Sequence, residues 1–294
     1  MDIKRYEYPI QSKDGLNLYI RKWVTNAKEK GILILTHGFS EHCGRYTHWA
    51  EKFVSEGFHV YALDYRGHGK AEGIRGHTPS YKHLLDDIES CLEHIQNPDN
   101  LPVFLYGQSF GGNMVLNYAI FRKHSLTGII STSPWLKLVA KPRSIAVFLS
   151  RIIRILAPRL IRNTKFDINV LSHDPQVVID YEKDPLTHSF ITPQLFFGSE
   201  KAAKSIFKNV KYFSVPVLLL HGTEDLVTSF KASKKLATIA SNFKKNVTFI
   251  PWEGYYHELH NEVGKEQVFA EIIRWINLLL TKKQTDGIYY SSEH

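Results

Sequence analysis

Residues 101–113 read LPVFLYGQSFGGN, and the fold turns on how Gly107-Gln108-Ser109-Phe110-Gly111-Gly112 is understood. An apolar run of strand character, 102–106, ends in small residues, and a pattern of helical period follows over 111–123. Such a junction serves one of two chemistries: a glycine turn cradles a phosphate, or it exposes a serine as a nucleophile. Spacing separates them. A dinucleotide turn needs glycine at its first, third and sixth positions and an acid about 20 residues later. Here Ser109 holds the third position, and residues 100–166 contain no Asp or Glu. Nor is there a Gly-Lys-Ser/Thr sequence for a nucleotide P-loop. Gly107-Gln108-Ser109-Phe110-Gly111 instead fits G-x-S-x-G, whose glycines leave room for a tight turn with a strained serine backbone.

A serine hydroxyl near its free pKa is a poor nucleophile and needs a base, an acid to orient that base, and donors for the oxyanion. When the serine sits on such a turn, the acid and the histidine follow it in the chain, each just after a later strand. VPVLLL runs into His221-Gly222-Thr223-Glu224-Asp225, and NVTFIPW runs into Glu253-Gly254-Tyr255-Tyr256-His257. Asp225 is therefore expected to orient His257, and His257 to take the proton of Ser109. Glu224 competes as the acid and His260 as the base. The plain alternative makes Asp225 a loop or cap residue and His257 one of fifteen histidines. The oxyanion donors are expected to be the backbone N–H groups of Phe110, after the serine, and Phe39, in the turn that ends ILILTHGFSEH.

Short β-rich runs at 16–24, 31–36, 59–63, 102–106, 127–131, 216–220 and 247–250 alternate with helical stretches near 47–56, 81–96, 111–123, 229–241 and 265–280. That alternation predicts an α/β fold with a mostly parallel sheet flanked by helices. It lapses between 133 and 214, which reads as an insertion outside the sheet. The expected organisation is one domain over 1–282 with an insertion at about 134–213, followed by a polar, loosely held tail over 283–294.

Composition is that of an ordinary globular chain, 294 residues and 43% hydrophobic. The first residues carry no apolar signal core, and no apolar window reaches the length of a membrane span, so a cytoplasmic, soluble protein is expected. Cys43 and Cys91 are far apart and in no metal-ligand spacing, which argues against a disulfide framework or a zinc site. The net charge of +8 is local: the acid-free segment 100–166 holds ten Lys and Arg, which leaves the rest of the chain at −2.

HGFSEHCGRY at 37–46, DYRGHGKAEG at 64–73, GQSFGG, DPL at 184–186, HGTEDLVT at 221–228 and YYHELHNE at 255–262 stand in that order along most of the chain. Together they resemble the monoacylglycerol lipase and lysophospholipase group of serine α/β-hydrolases. Departures are Gln108, Phe110, Phe39 and Ala71, at positions where that group more often has His or Glu, Met, a small residue and Ser. The resemblance implies an α/β-hydrolase fold, a helical lid in the insertion, and hydrolysis of single-acyl lipid esters with neither metal nor cofactor. It also implies that Glu41, Arg45 and His260 hold the polar head, with a Glu41–Arg45 pair that fixes the loop as the alternative. Thioesterase, acyltransferase or serine peptidase activity on the same scaffold, or a non-catalytic binding protein, are the competing functions.

Within the insertion, SIAVFLSRIIRILAPRLIRN places Ile145, Phe148, Leu149, Ile152 and Leu156 on one helical face, with Ser144, Arg151 and Arg154 opposite. Pro158 is expected to end or bend that helix. Either the apolar face packs over the core, or it rests in a membrane interface with its cations near anionic headgroups. A nucleic-acid partner is not expected, because the cations are interleaved with aliphatic rather than stacking aromatic residues.

Overall fold

The computed structural model describes residues 3–140, 150, 153–164 and 167–291, with backbone alone for 282–291. Eight strands form one sheet. They are β1 (Lys4–Gln11), β2 (Asn17–Val24), β3 (Gly31–Thr36), β4 (Phe58–Asp64), β5 (Val103–Gln108), β6 (Gly128–Thr132), β9 (Val217–Gly222) and β10 (Val247–Trp252). Their order is β1-β2-β4-β3-β5-β6-β9-β10. The pairs β1–β2 and β2–β4 are antiparallel, and every later pair is parallel.

Parallel strands need crossovers, and the helices that supply them cover both faces, so the central strands are apolar throughout rather than alternating. All six residues of GILILT in β3 are buried. On one face α1 (Thr47–Ser55) and a C-terminal helix α7 (Lys265–Ser291) press Trp49, Phe53, Ile272 and Ile276 against Leu33, Phe104 and Leu218. On the other lie α2 (Tyr81–His94), α3 (Phe110–Phe121) and α6 (Phe230–Asn242), whose Leu84, Val115 and Leu236 meet Ile34, Leu105 and Ile129.

The insertion between β6 and β9 contributes α4 (Pro175–Lys183), α5 (Pro193–Asn209) and a two-stranded ribbon of β7 (Arg162–Asn163) and β8 (Phe190–Ile191). The predicted amphipathic helix falls mostly outside the described residues. Its last turn, 153–156, is helical and stops before Pro158, as a ring that cannot donate an N–H requires. Ile155 and Leu156 are 77% and 79% exposed, so this turn does not pack on the core.

The two ends of the chain add to the elements placed from sequence. β1 was not anticipated: KRYEYPIQ is an edge strand with five of its first six residues exposed or nearly so, and it pairs only with β2. The backbone of α7 runs on to Ser291, over most of the stretch read as a polar tail.

Candidate active site

Every candidate catalytic residue leaves the carboxyl end of a parallel strand, the edge where open α/β sheets bind their ligands. Ser109 follows β5, Asp225 lies three residues past β9, His257 five past β10, and Phe39 three past β3. The turn at Ser109 is as tight as its glycines suggest. Ser109 takes φ 53° and ψ −111°, a left-handed backbone that costs a non-glycine residue on the order of 1–3 kcal/mol. A Cβ on Gly107 would stand 2.3 Å from the Gly111 carbonyl oxygen, and one on Gly111 would stand 2.1 Å from that of Thr36. Only hydrogen fits at either position, so the glycines are demanded by the packing of β5 and α3 against β3.

A continuous hydrogen-bonded chain joins three of the residues. Ser109 Oγ lies 2.8 Å from His257 Nε2, and His257 Nδ1 donates to Asp225 Oδ2 at 2.7 Å. All three are buried. The N–H groups of Val227 and Thr228 donate to Asp225 Oδ1 at 2.7 and 2.9 Å, and Thr228 Oγ1 donates to Oδ2 at 2.8 Å. A second imidazole, His221 Nε2, reaches Oδ2 at 3.0 Å, while Ser233 Oγ stands 2.8 Å from its Nδ1. Burial pushes the Asp225 carboxyl up, but the charge of His257 and the hydrogen bond from His221 outweigh it and hold Asp225 well below the usual range. Burial disfavours the imidazolium of His257, yet the Asp225 carboxylate, with Glu258 and Glu41 behind it, raises that histidine above its ordinary value.

Glu224 is exposed on the loop and takes no part in this chain. His260 is buried with its ring stacked on Tyr46 at 4.3 Å, which removes it from competition as the base. Gln108 was read only as a departure from a family pattern, yet it braces the site. Its Nε2 donates to the His257 carbonyl at 3.0 Å, and its Oε1 accepts from Thr132.

The described residues enclose a cavity of about 660 Å³ that opens onto Ser109. Trp135, Leu138, Phe196, Phe197 and Leu226 give it a mainly apolar wall. Phe39 lines it too, edge-on to Phe110 and Trp135 at 6.4 and 6.2 Å. At the polar end stand Glu41, Tyr181 and Glu258. Of the three head-group candidates, Glu41 is on the cavity wall, whereas Arg45 and His260 lie behind it. Arg45 grips the Glu258 carboxylate with both terminal nitrogens at 2.7 Å and also donates to Glu41. Gly38 N and Tyr46 Oη donate to Glu41 Oε1 at 2.6 and 2.7 Å. The Glu41–Arg45 pair therefore exists, but Glu258 makes it a triad. Sequence reading missed Glu258, because its partner is 213 positions away.

His42, unassigned from sequence, lies 2.7 Å through Nε2 from Asp184 Oδ2 in the insertion. Close by, the Ser40 carbonyl accepts from His188 N and Tyr181 Oη at 3.1 and 3.2 Å.

A hydrogen-bonded Ser–His–Asp set at the carboxyl edge of a doubly covered, mostly parallel sheet defines a serine hydrolase of the α/β-hydrolase fold. Residues 27–264 match the family model described as serine aminopeptidase, S33, and the chain belongs to that family. The solved structure of Paleococcus ferrophilus monoacylglycerol lipase superposes with a TM-score of 0.79 at 31% identity, covering 96% of this chain and 99% of the other. A phospholipase of Bacillus subtilis is 30% identical over 81% of this chain and 92% of its own length. An uncharacterized abhydrolase domain-containing protein of Dictyostelium discoideum is 33% identical over 90% of this chain, but the chain spans only 28% of that protein.

Proposed function

We propose that this chain hydrolyses the carboxylic ester of single-acyl lipids, monoacylglycerols or lysophospholipids, through an acyl-enzyme on Ser109. The observation that carries the reading is the unbroken chain from Ser109 through His257 to Asp225 at the floor of a mainly apolar cavity. Ser109 Oγ attacks the ester carbonyl as His257 Nε2 takes its proton, and the Phe39 and Phe110 N–H groups receive the oxyanion. Phe110 opens α3, so its amide has no acceptor within the helix. Collapse breaks the ester C–O bond, and His257 hands the proton to the departing alcohol. Water then attacks the acyl-enzyme, loses a proton to His257, and the fatty acid leaves as Ser109 regains its proton. Asp225 keeps the imidazole proton on Nδ1 throughout. Glu41 takes the head-group hydroxyls directly, while Arg45 and His260 support it from behind.

The deciding assay compares 2-oleoylglycerol with oleoyl-lysophosphatidylcholine for wild type and Ser109→Ala, reading free fatty acid. Release that vanishes in the variant supports the reading. Aminoacyl amide cleavage in preference to either lipid would instead favour a peptidase, and failure of a fluorophosphonate probe to label Ser109 would favour a binding protein.

The same reading has the insertion meeting a membrane surface from the cytoplasmic side. Ile155 and Leu156 stand out beside Arg154, whose guanidinium lies 5.7 Å over the Phe197 ring on the cavity wall, so apolar and cationic groups share the rim. No helix among the described residues is long and apolar enough to cross a bilayer, and Cys43 and Cys91 are free and buried, which fits a reducing compartment. Flotation with anionic vesicles should carry wild type upward and leave an Ile155→Asp/Leu156→Asp variant behind; equal behaviour of the two would remove this part of the proposal.

A further inference from the structure

The polar end of the catalytic cavity carries an unusual charge balance. Glu41 and Glu258 both face the cavity, and Arg45 pairs with both of them. Among the described residues the Arg45 guanidinium donates to those two carboxylates: Nη1 to both, Nη2 to Glu258. Asn261 Nδ2 adds a further donor to Glu258 at 2.6 Å. Tyr181, also on the wall, lies under the Arg45 guanidinium at 4.8 Å. The cation is thus consumed while the carboxylates remain beside the reacting centre. Glu41 is close enough to Ser109 that a Cβ on Gly38 would touch both, at 2.6 Å from Glu41 Oε1 and 3.3 Å from Ser109 Cβ.

Building on the esterase reading above, we propose that this end of the cavity is an anionic head-group subsite. Glu258 is the residue that sets its sign. It takes esters of neutral polyols and of ammonium-bearing alcohols, and turns away esters whose alcohol bears a phosphate monoester with no cation of its own. Hydroxyl and ammonium groups find acceptors on Glu41 and Glu258. A phosphate brings two more negative charges beside two carboxylates whose guanidinium is already engaged, and buried groups of like sign repel strongly; Arg162, the arginine on the cavity wall among the described residues, stands on β7 and donates to Ser150 Oγ at 3.0 Å. Without Glu258, Arg45 would answer Glu41 alone and the end would be neutral. With it, two carboxylates share one guanidinium; burial outweighs the Arg45 charge and pushes the Glu41 carboxyl up, so the excess of negative charge is fullest on the alkaline side. The bidentate grip of Arg45 outweighs the cost of burial and holds the Glu258 carboxyl at about 2, so its charge persists over the working pH range.

Three octanoyl esters that differ only in head-group charge test this: octanoylcholine, 1-octanoylglycerol and 1-octanoylglycerol 3-phosphate. Each is kept below its micelle concentration, so that the basic insertion cannot gather the anionic one at an interface. At pH 8.5 the wild-type kcat/KM should fall by at least about tenfold from 1-octanoylglycerol to its phosphate, with octanoylcholine no worse than the neutral ester. Glu258→Gln should narrow the neutral-to-anionic ratio by about tenfold. Equal use of the neutral and phosphorylated esters by wild type would overturn the proposal, as would a folded, probe-reactive Glu258→Gln with an unchanged ratio. Should Glu258→Gln not fold, the wild-type order decides alone. Non-hydrolysable octyl ethers of the same three heads, tested for slowing fluorophosphonate labelling of Ser109, separate this idea from the esterase reading. Protection by the choline and glycerol ethers but not the phosphate, with no ester turned over, would sink the substrate assignment and keep the charge rule. Equal protection by all three would sink the charge rule.

Discussion

Replacing Asp225 by Asn changes one oxygen for an amide nitrogen and leaves the shape intact, so its effect follows from counting hydrogen bonds. Asp225 Oδ1 accepts from the amides of Val227 and Thr228, and Oδ2 faces His257 Nδ1, His221 Nε2 and Thr228 Oγ1. Two backbone donors hold the single remaining oxygen at the Oδ1 position, which turns the new NH₂ toward His257. The imidazole must then accept at Nδ1, and its proton moves to Nε2, where it points at Ser109 Oγ. The serine has lost its base. A tautomer inversion of this kind lowers kcat by about 10⁴, or about 5.5 kcal/mol of transition-state stabilisation. The assay is fatty-acid release from a monoacylglycerol over pH 6–10, beside a thermal melt to show that the variant folds. Glu224→Gln serves as the control and should leave the rate within about twofold, since an exposed surface change is nearly neutral. A folded Asp225→Asn within tenfold of wild type, or a large loss in Glu224→Gln, would refute the assignment of the acid.

The raised His257 pKa places the acid limb of kcat/KM above the usual histidine value of about 6.5, because the base must be neutral to act, and a limb at or below that value would contradict it. For stability the sign is opposite: a raised folded-state pKa contributes below the unfolded value and is lost as pH rises through the folded one, so a melt of Ser109→Ala should decline across that interval. Gly111→Ala should cost about 2 kcal/mol or more and abolish probe labelling, as its Cβ meets two backbone carbonyl oxygens at 2.1 and 2.5 Å; Gly198→Ala, whose new Cβ meets only Tyr81 Cβ at an ordinary 3.7 Å, should keep labelling. Gln108→Ala takes the side-chain donor from the buried His257 carbonyl and one acceptor from Thr132 Oγ1, which keeps Tyr106 Oη at 3.2 Å, so unfolding measured in urea should show a loss of about 1–3 kcal/mol along with slower turnover. Arg45→Met leaves two buried carboxylates without their cation and should destabilise by about 3–5 kcal/mol, read as a lowered urea midpoint.

Local signals carried most of the fold. The central strands announce themselves because a sheet covered on both faces admits unbroken apolar runs, and the nucleophile turn because glycines at 107 and 111 have no substitute there. The order of serine, acid and histidine then followed from strand ends. What stayed hidden was set by distance or by exposure. β1 mixes charge and proline because only one of its edges is paired, so its pattern resembles a loop. Glu258, His221 and Gln108 look unremarkable in sequence; their roles come from Arg45, Asp225 and the His257 carbonyl, each brought in by the sheet. His260 stacks on Tyr46, a contact that nothing within its own segment betrays.

The insertion is pinned to the loop after β3 at His42–Asp184 and at the twice-used Ser40 carbonyl. That loop also carries Gly38, on which a Cβ would lie 3.3 Å from Ser109 Cβ, and Phe39, the proposed oxyanion donor. A designer who swaps the α4 region for a homologous module, hoping to change chain-length preference alone, would also release the fastening that keeps Phe39 aimed. Such chimaeras should lose turnover rather than merely retune selectivity, unless residues 40–46 and 181–188 are exchanged together as one cassette.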